Sequence, residues 1–313
     1  IKFPLIKHFA SDVSSLPYND VNRFAEDDLG NLWIGTNGRG LIYYNRKTGT
    51  FKSFVNNPAD RNSLANNVIV GLCIDHKKRL WIGTYFGGMD CFDGKSFKHY
   101  KHSSSLESIS DNRIADIIED SSHHLWIGTI GGGLDSFDPE TERFKHYTTS
   151  NGLNINYISK LAEDEAGNIW IGTAYGLNIL TRQSKFISYI RMGNPQNGLV
   201  NNNISGLVED SRRLFWITTR DGISIFNPRT KKFRNLHRSD GLPDNNIQEV
   251  LEDNRHNMWV STANGLCNIT VAGSGDNLVL HFKNYDEGDG LQGREFNRYA
   301  SMKTRRGELI FGG

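Results

Sequence analysis

The sequence predicts an all-β fold, a seven-bladed β-propeller of four-stranded antiparallel blades, and three observations carry that prediction. All six tryptophans of the 313-residue chain, Trp33, Trp81, Trp126, Trp170, Trp216 and Trp259, sit in one motif, "LWIGT" or a close variant, at steps of 43 to 48 residues. A seventh copy, "GELIFGG", ends the chain with Ile310 in the tryptophan slot. Each repeat has room for several short apolar segments between glycine-rich turns, which is the signature of propeller blades.

The elements follow in order within a repeat. Twelve residues before each tryptophan stands Val21, Ile69, Ile114, Ile158, Ile204 or Ile247, and an apolar segment starts there. Positions nine and eight before the tryptophan are both apolar, as in Phe24 with Ala25 and Ile117 with Ile118. A strand covered on one face would alternate, so both faces of this strand are covered. The "LWIGT" strand reads the same way, as expected for a blade between two neighbours. A third strand follows the glycine turn, and a fourth reads "FKSF", "FKHY" or "FISY"; these two alternate more and belong toward the outer rim.

These spacings predict a single propeller over residues 1–313, with blades near 19–54, 67–100, 112–147, 156–189, 202–236 and 245–285. The last blade is incomplete at 297–313 and is closed by an N-terminal strand at 5–10, "IKHF" matching the fourth-strand pattern. Ring closure would remove the exposed sheet edges. The chain does not begin with methionine and its last blade is short of strands, so it is read as a fragment of a longer chain.

Composition narrows the function classes. The formal net charge is +1 with 23% charged residues, which supplies no electrostatic pull toward nucleic acid or an anionic membrane. No apolar run is long enough to span a bilayer, and no secretory leader precedes residue 1. Cys73, Cys91 and Cys267 are an odd set in repeat slots filled by other residues elsewhere, and are read as unpaired. They leave the redox compartment open.

Two polar positions recur and are therefore read as structural. Asp stands six residues before every tryptophan (Asp27, Asp75, Asp120, Asp164, Asp210, Asp253) and Asn fourteen before (Asn19, Asn67, Asn112, Asn156, Asn202, Asn245). The Asp is expected to accept backbone N–H groups in the hairpin leading to the tryptophan strand, and the Asn to pin a loop through side chain to backbone bonds. The glycine runs "NGRG", "FGGM" and "IGGG" read as tight hairpins, since no helix or GK[ST] follows.

His99 and His146 occupy equivalent outer-strand positions, matched by His8, too far apart to share a metal; His123 and His124 lie in a turn and read as solvated. No catalytic motif, cofactor site or metal site is predicted. The tryptophans are assigned to the core between blades.

What differs between repeats is the more informative part. The loop into strand one and the loop between strands two and three leave the same end of an up-and-down blade. That end carries the ligand-binding candidates Arg23, Arg39, Tyr85, Arg113, Tyr157, Lys160, Tyr175, Arg220, Asn264 and, in the divergent last repeat, Arg298. Guanidinium forks, hydroxyls and flat aromatic faces suit sugars or acidic glycans.

The pattern "N-x-[IV]-x-x-[IL]-x-E-D-x-x-G-x-[LI]-W-I-G-T-x-x-G-[GL]-[LIM]-x-x-[FY]-[DN]" resembles the two-component regulator propeller repeat across essentially the whole chain. That resemblance implies the periplasmic sensor region of a hybrid two-component system, anchored in the inner membrane, which detects glycans and controls polysaccharide utilisation. It implies an oligosaccharide ligand, an adjacent propeller and an immunoglobulin-like domain in the same chain, a histidine kinase beyond them, a homodimeric full sensor and no nucleic acid. "DGLQGREFNRYASMKTRRGELIFGG" looks like the family's divergent final blade. Two readings stand beside it: a propeller lyase or other glycan-active enzyme, and a protein-interaction scaffold.

Overall fold

Six repeats each fold as a four-stranded antiparallel sheet in which consecutive strands are neighbours, in a computed structural model that describes residues 3–192 and 198–313. Sheet one comprises Val21–Glu26, Leu32–Thr36, Leu41–Asn45 and Thr50–Phe54. Sheets two and three begin at Ile69–Ile74 and Ile114–Glu119, and sheets four, five and six at Ile158–Glu163, Ile204–Glu209 and Ile247–Glu252. A two-stranded pair, Ser301–Lys303 with Leu309–Phe311, follows. The strand content is that of the predicted all-β class, with six full sheets and one partial one.

The chain divides into two compact units, Ile6–Ile169 and Ile1–Leu5 with Trp170–Gly313. Within the first, the opening strands of sheets one to four lie side by side in chain order. A single glycine explains how closely they approach. A Cβ on Gly35, Gly83 or Gly128, the glycine of each "LWIGT", would stand 2.6 Å from the Cγ2 of Ile69, Ile114 or Ile158, the residue that opens the next sheet. The recurrent glycine and the recurrent β-branched residue are two halves of one contact between sheets.

Aromatic packing fills the rest of that boundary. Trp33 meets Phe92 of sheet two edge-on at 5.8 Å, and Trp81 meets Phe137 of sheet three at 5.6 Å. Trp81 buries with Met89, Ile114, Ile117, Leu125 and Ile127 in one cluster. In the second unit Trp170 stacks on Phe215 with centroids 3.4 Å apart, and Trp216 lies in a cluster with Ile225, Val250, Met258 and Ile269. Burying these aromatic and aliphatic side chains together supplies the adhesion between sheets.

Two features depart from the sequence reading. Residues 3–8 carry no strand, and Phe9 makes only an isolated bridge to Asp12. Instead Phe3 packs edge-on against Tyr285 at 5.3 Å and Trp259 at 6.5 Å. A fourth-strand pattern of four residues is too short to dictate pairing when one aromatic anchor competes. In sheet six the outer hairpin, Gly265–Ser274 with Asn277–Tyr285, runs ten and nine residues, well beyond the outer strands of other sheets. Its tip is held by sheet five, where Asn227 Nδ2 and Thr230 Oγ1 donate to Asp276 Oδ1 at 2.7 and 3.0 Å.

Candidate functional site

The repeated polar residues are consumed by the backbone. Asp75 Oδ1 accepts the N–H groups of Lys77 and Arg79, both at 2.9 Å, while its Oδ2 accepts the indole N–H of Trp81 at 2.8 Å. Asp120, Asp210 and Asp253 repeat the arrangement with Trp126, Trp216 and Trp259 at 2.8, 2.9 and 3.0 Å. In sheet one the same oxygen of Asp27 accepts the Tyr43 hydroxyl instead, at 2.9 Å. For Asp75 burial acts to raise the pKa, but the hydrogen bonds from Trp81 and Arg79 outweigh it and hold the carboxyl below its ordinary value. Asp253 is held low in the same way by the Trp259 indole and the Asn257 and Arg255 N–H groups against the effect of burial, so these two carboxylates are ionised acceptors, not proton donors.

The repeated Asn side chains behave as expected. Asn112 Oδ1 accepts the backbone N–H of His102 at 2.8 Å where the chain leaves sheet two, and its carbonyl accepts the N–H of Gly88 at 2.9 Å. Asn67, Asn156, Asn202 and Asn245 make the same pair of bonds. Each Asn therefore ties the end of one sheet's outer strand and its glycine hairpin to the start of the next sheet. Gly88 takes φ +81° there, and a Cβ would stand 2.3 Å from the Tyr100 carbonyl oxygen, so the glycine runs are hairpin geometry.

The ten candidate residues divide by location. Arg23 is 5% exposed: its Nη2 donates to the Ala115 carbonyl at 3.0 Å and lies 3.3 Å from Asp116, which Lys160 also approaches, at 3.9 Å. Those two cations face a buried carboxylate on the first strand of sheet three rather than the loop end of the first unit. Arg298 is half-buried, donates to Asn203 at 3.2 Å and stacks over Tyr299. Arg39, Arg113, Tyr157, Tyr175, Arg220 and Asn264 are exposed, and Arg39 lies over the Tyr18 ring at 5.9 Å.

In the first unit three candidates, Tyr85, Arg113 and Tyr157, lie on the loops of successive sheets. Arg113 holds Asp111 in a two-toothed pair, Nη2 to Oδ2 at 2.6 Å and Nε to Oδ1 at 3.1 Å. That bond keeps the guanidinium above its ordinary pKa, with a further contribution from the phenols of Tyr85 and Tyr157, which stand within electrostatic reach. Tyr85 packs edge-on against the exposed Phe86 at 4.6 Å. A Cβ on Gly131 would lie 2.5 Å from Arg113 Nη2, so the glycine run of sheet three is also what leaves room for the ion pair. The result is an exposed edge with aromatic faces and a fixed cation, drawn from the loops of sheets two, three and four.

Sequence reasoning missed Phe86 and Asp111 beside this edge. It also missed that Asn264, in the second unit, lines a pocket of about 470 Å³ with Arg238, Asn284, Asp286 and Arg294. Arg294 lies in the divergent stretch before the last two strands, where no repeat register is available to align it. Among the described residues one group of three could hold a metal ion, His76, Glu119 and His123. Cys73, Cys91 and Cys267 are unpaired, and burial pushes the thiols of Cys73 and Cys267 up to about 12, so they are inert at neutral pH.

Comparison with known proteins agrees with this architecture. The family model described as "Two component regulator propeller" matches residues 15–38, 63–86, 108–131, 152–175 and 241–264. Histidine kinase P4 of Formosa agariphila is 41% identical over 56 residues, which are 18% of this chain and 4% of that protein. The extracellular domain of the hybrid two-component system BT3049 from B. thetaiotaomicron is 19% identical with a TM-score of 0.58, over 98% of this chain and 56% of that one. Virginiamycin B lyase from Staphylococcus aureus, 13% identical, superposes with a TM-score of 0.66 over 90% of this chain and 88% of the lyase. At such identities the last two likenesses concern the fold alone. The chain spans about half the length of the sensor domain and a small part of the kinase.

Proposed function

We propose that this chain, five stretches of which match the two component regulator propeller model, is a ligand-sensing or signal-relaying propeller in the periplasmic region of a hybrid two-component sensor. The ligand class is an oligosaccharide, and the output is control of polysaccharide utilisation through a histidine kinase in the same protein. A seven-bladed ring, completed around the partial last repeat, an adjacent propeller, an immunoglobulin-like domain and dimerisation of the full sensor belong to this reading. Support comes from the extracellular sensor domains that share the fold.

One observation carries the reading beyond the family: the exposed Arg113, fixed on Asp111, has Tyr85 and Tyr157 of the neighbouring sheets' loops within electrostatic reach. Repetition would place similar residues around a propeller, whereas recognition needs a local departure from repetition. Aromatic faces cover the apolar side of a pyranose, and a guanidinium already paired to Asp111 offers its remaining N–H groups to hydroxyl or carboxylate oxygens. A ligand spanning these loops would favour one packing of sheets two, three and four over another. That difference is the free energy available for signalling.

The test is calorimetry with an oligosaccharide panel on the complete periplasmic region, comparing wild type with Arg113→Ala, Tyr85→Ala and Tyr157→Ala. Losses of about 1 kcal/mol or more, the scale of one charge-assisted hydrogen bond, are expected for a ligand that binds. Unchanged affinity in all three variants would remove this edge as the binding site.

A further inference from the structure

The Glu that ends the first strand of sheets three, four and six has a repeated task. Glu163 accepts the backbone N–H and hydroxyl of Ser121 at 2.8 and 2.7 Å, and Glu252 accepts the same two groups of Ser211 at 3.0 and 2.6 Å. Each links the hairpin of one sheet to the first strand of the next. Glu119 does so for sheets two and three, its Oε2 accepting the N–H of His76 at 2.9 Å. Here the chemistry then departs from the other junctions, because His76 replaces the serine and His123 stands in the turn of sheet three.

Three donor groups converge as a result. His76 Nδ1 lies 2.5 Å and His123 Nδ1 3.4 Å from Oε1 of Glu119, and the two rings stack with centroids 3.8 Å apart. Their candidate ligand atoms all fall within 4.8 Å of one another. His123 reaches this position because its backbone takes φ +68°, the value that glycine or a turn residue holds elsewhere in the repeat. At sheets five and six the corresponding glutamate, Glu252, has one imidazole beside it, His256 at 3.3 Å. At sheets three and four Glu163 faces Ser121, and the turn residue is Gly167.

We propose that His76, Glu119 and His123 form a binding site for a divalent transition-metal ion of the zinc class. Two imidazoles and one carboxylate are the donor set that suits Zn²⁺ and its neighbours over Mg²⁺ or Ca²⁺, which demand oxygen ligands. The carboxylate is already oriented: Oε2 is occupied by a backbone N–H, leaving Oε1, the oxygen both rings approach, for the ion. Metal–ligand distances of about 2.0 to 2.2 Å ask the two rings to turn out of their stack. Both histidines are exposed turn residues and can do so without disturbing the core. The bound ion would clip sheet two to sheet three at the hairpin end opposite the Tyr85–Arg113 edge, and water would complete its coordination.

The experiment is calorimetric titration of the chelator-treated chain with ZnCl₂, with thermal melting alongside. Wild type should bind one ion per chain, raise its melting temperature on saturation, and ignore MgCl₂. His123→Gln, which removes an exposed side chain, should weaken zinc binding at least tenfold, in line with loss of one ligand, and leave the metal-free melting temperature unchanged. His76→Gln should do likewise, and His256→Gln should leave binding intact. X-ray absorption of the zinc-loaded chain should show two imidazole ligands. Absence of saturable binding, or equal affinity in wild type and His123→Gln, would overturn the site.

Discussion

The two ends of each sheet are built on opposite principles. At the end holding the hairpin between strands one and two, the side chains themselves recur: an Asp carboxylate satisfies two backbone N–H groups and an indole in sheets two, three, five and six. At the other end the backbone recurs, a glycine N–H meeting an Asn carbonyl, while the exposed side chains change from sheet to sheet. Polar groups that repeat are thereby committed to the fold, and it is among the groups that depart from the repeat that recognition is to be sought. The same rule picks out the His76–His123 cluster, a departure at the otherwise repeated end.

That contrast can be broken most decisively at a tryptophan. Trp216 is fully buried, so Trp216→Ala should cost about 3 to 5 kcal/mol of unfolding free energy by lost burial and cavity formation. Urea unfolding checks this, and an unchanged midpoint would show that the repeated motif does not carry the packing. Next in size, Asp210→Ala orphans the Trp216 indole and two backbone N–H groups in a site 2% exposed. A loss of about 2 to 3 kcal/mol is expected from leaving buried donors unpaired.

Asn112→Ala should cost less, about 1 kcal/mol, since it removes one side-chain acceptor from a half-buried junction. At the variable end, Arg113→Ala and Tyr157→Ala should stay within about 0.5 kcal/mol of wild type, the usual range for surface changes. A large destabilisation by either would erase the distinction between the two ends. Turnover assays over a polysaccharide panel sharpen the distinction from the propeller lyase whose fold is shared. No product is expected, because the recurrent carboxylates are committed as acceptors to hydrogen bonds within the fold, and reproducible cleavage lost on a single His or Glu substitution would reverse that.

The smallest effect is a pH dependence. His146 Nδ1 hydrogen-bonds Asp135 at 2.7 Å and its Nε2 meets the Leu106 carbonyl at 2.8 Å, an arrangement that favours the imidazolium. The Asp135 bond raises the pKa above 6.5, against the opposing effect of burial. A folded-state pKa raised above the unfolded value contributes stability that is fully present below pH 6.5 and is lost as pH climbs through the folded value. The stability gap between wild type and His146→Gln should therefore be wider at pH 6 than at pH 8.5. Equal gaps at the two pH values would show that folding does not raise the imidazole pKa.

The sequence by itself determined the repeat, the strand order within each sheet, and the turn roles of the recurrent Asp and Asn. These are local: residues at fixed offsets within one repeat fold the same way each time, so periodicity reports them. Only the tertiary structure decided which residues of different repeats meet. Arg23 looked like a loop-end candidate by offset, yet its guanidinium crosses to a carbonyl and a carboxylate in sheet three. The strand expected at residues 5–10 gave way to Phe3 on Trp259 and Tyr285. His76 and His123 occupy unlike offsets in adjacent repeats, so aligning the repeats separates them while packing the sheets brings their rings to 3.8 Å. Offsets along a repeat fix backbone conformation, but side-chain encounters across a sheet boundary depend on the distance and angle between two sheets, which the periodicity does not record.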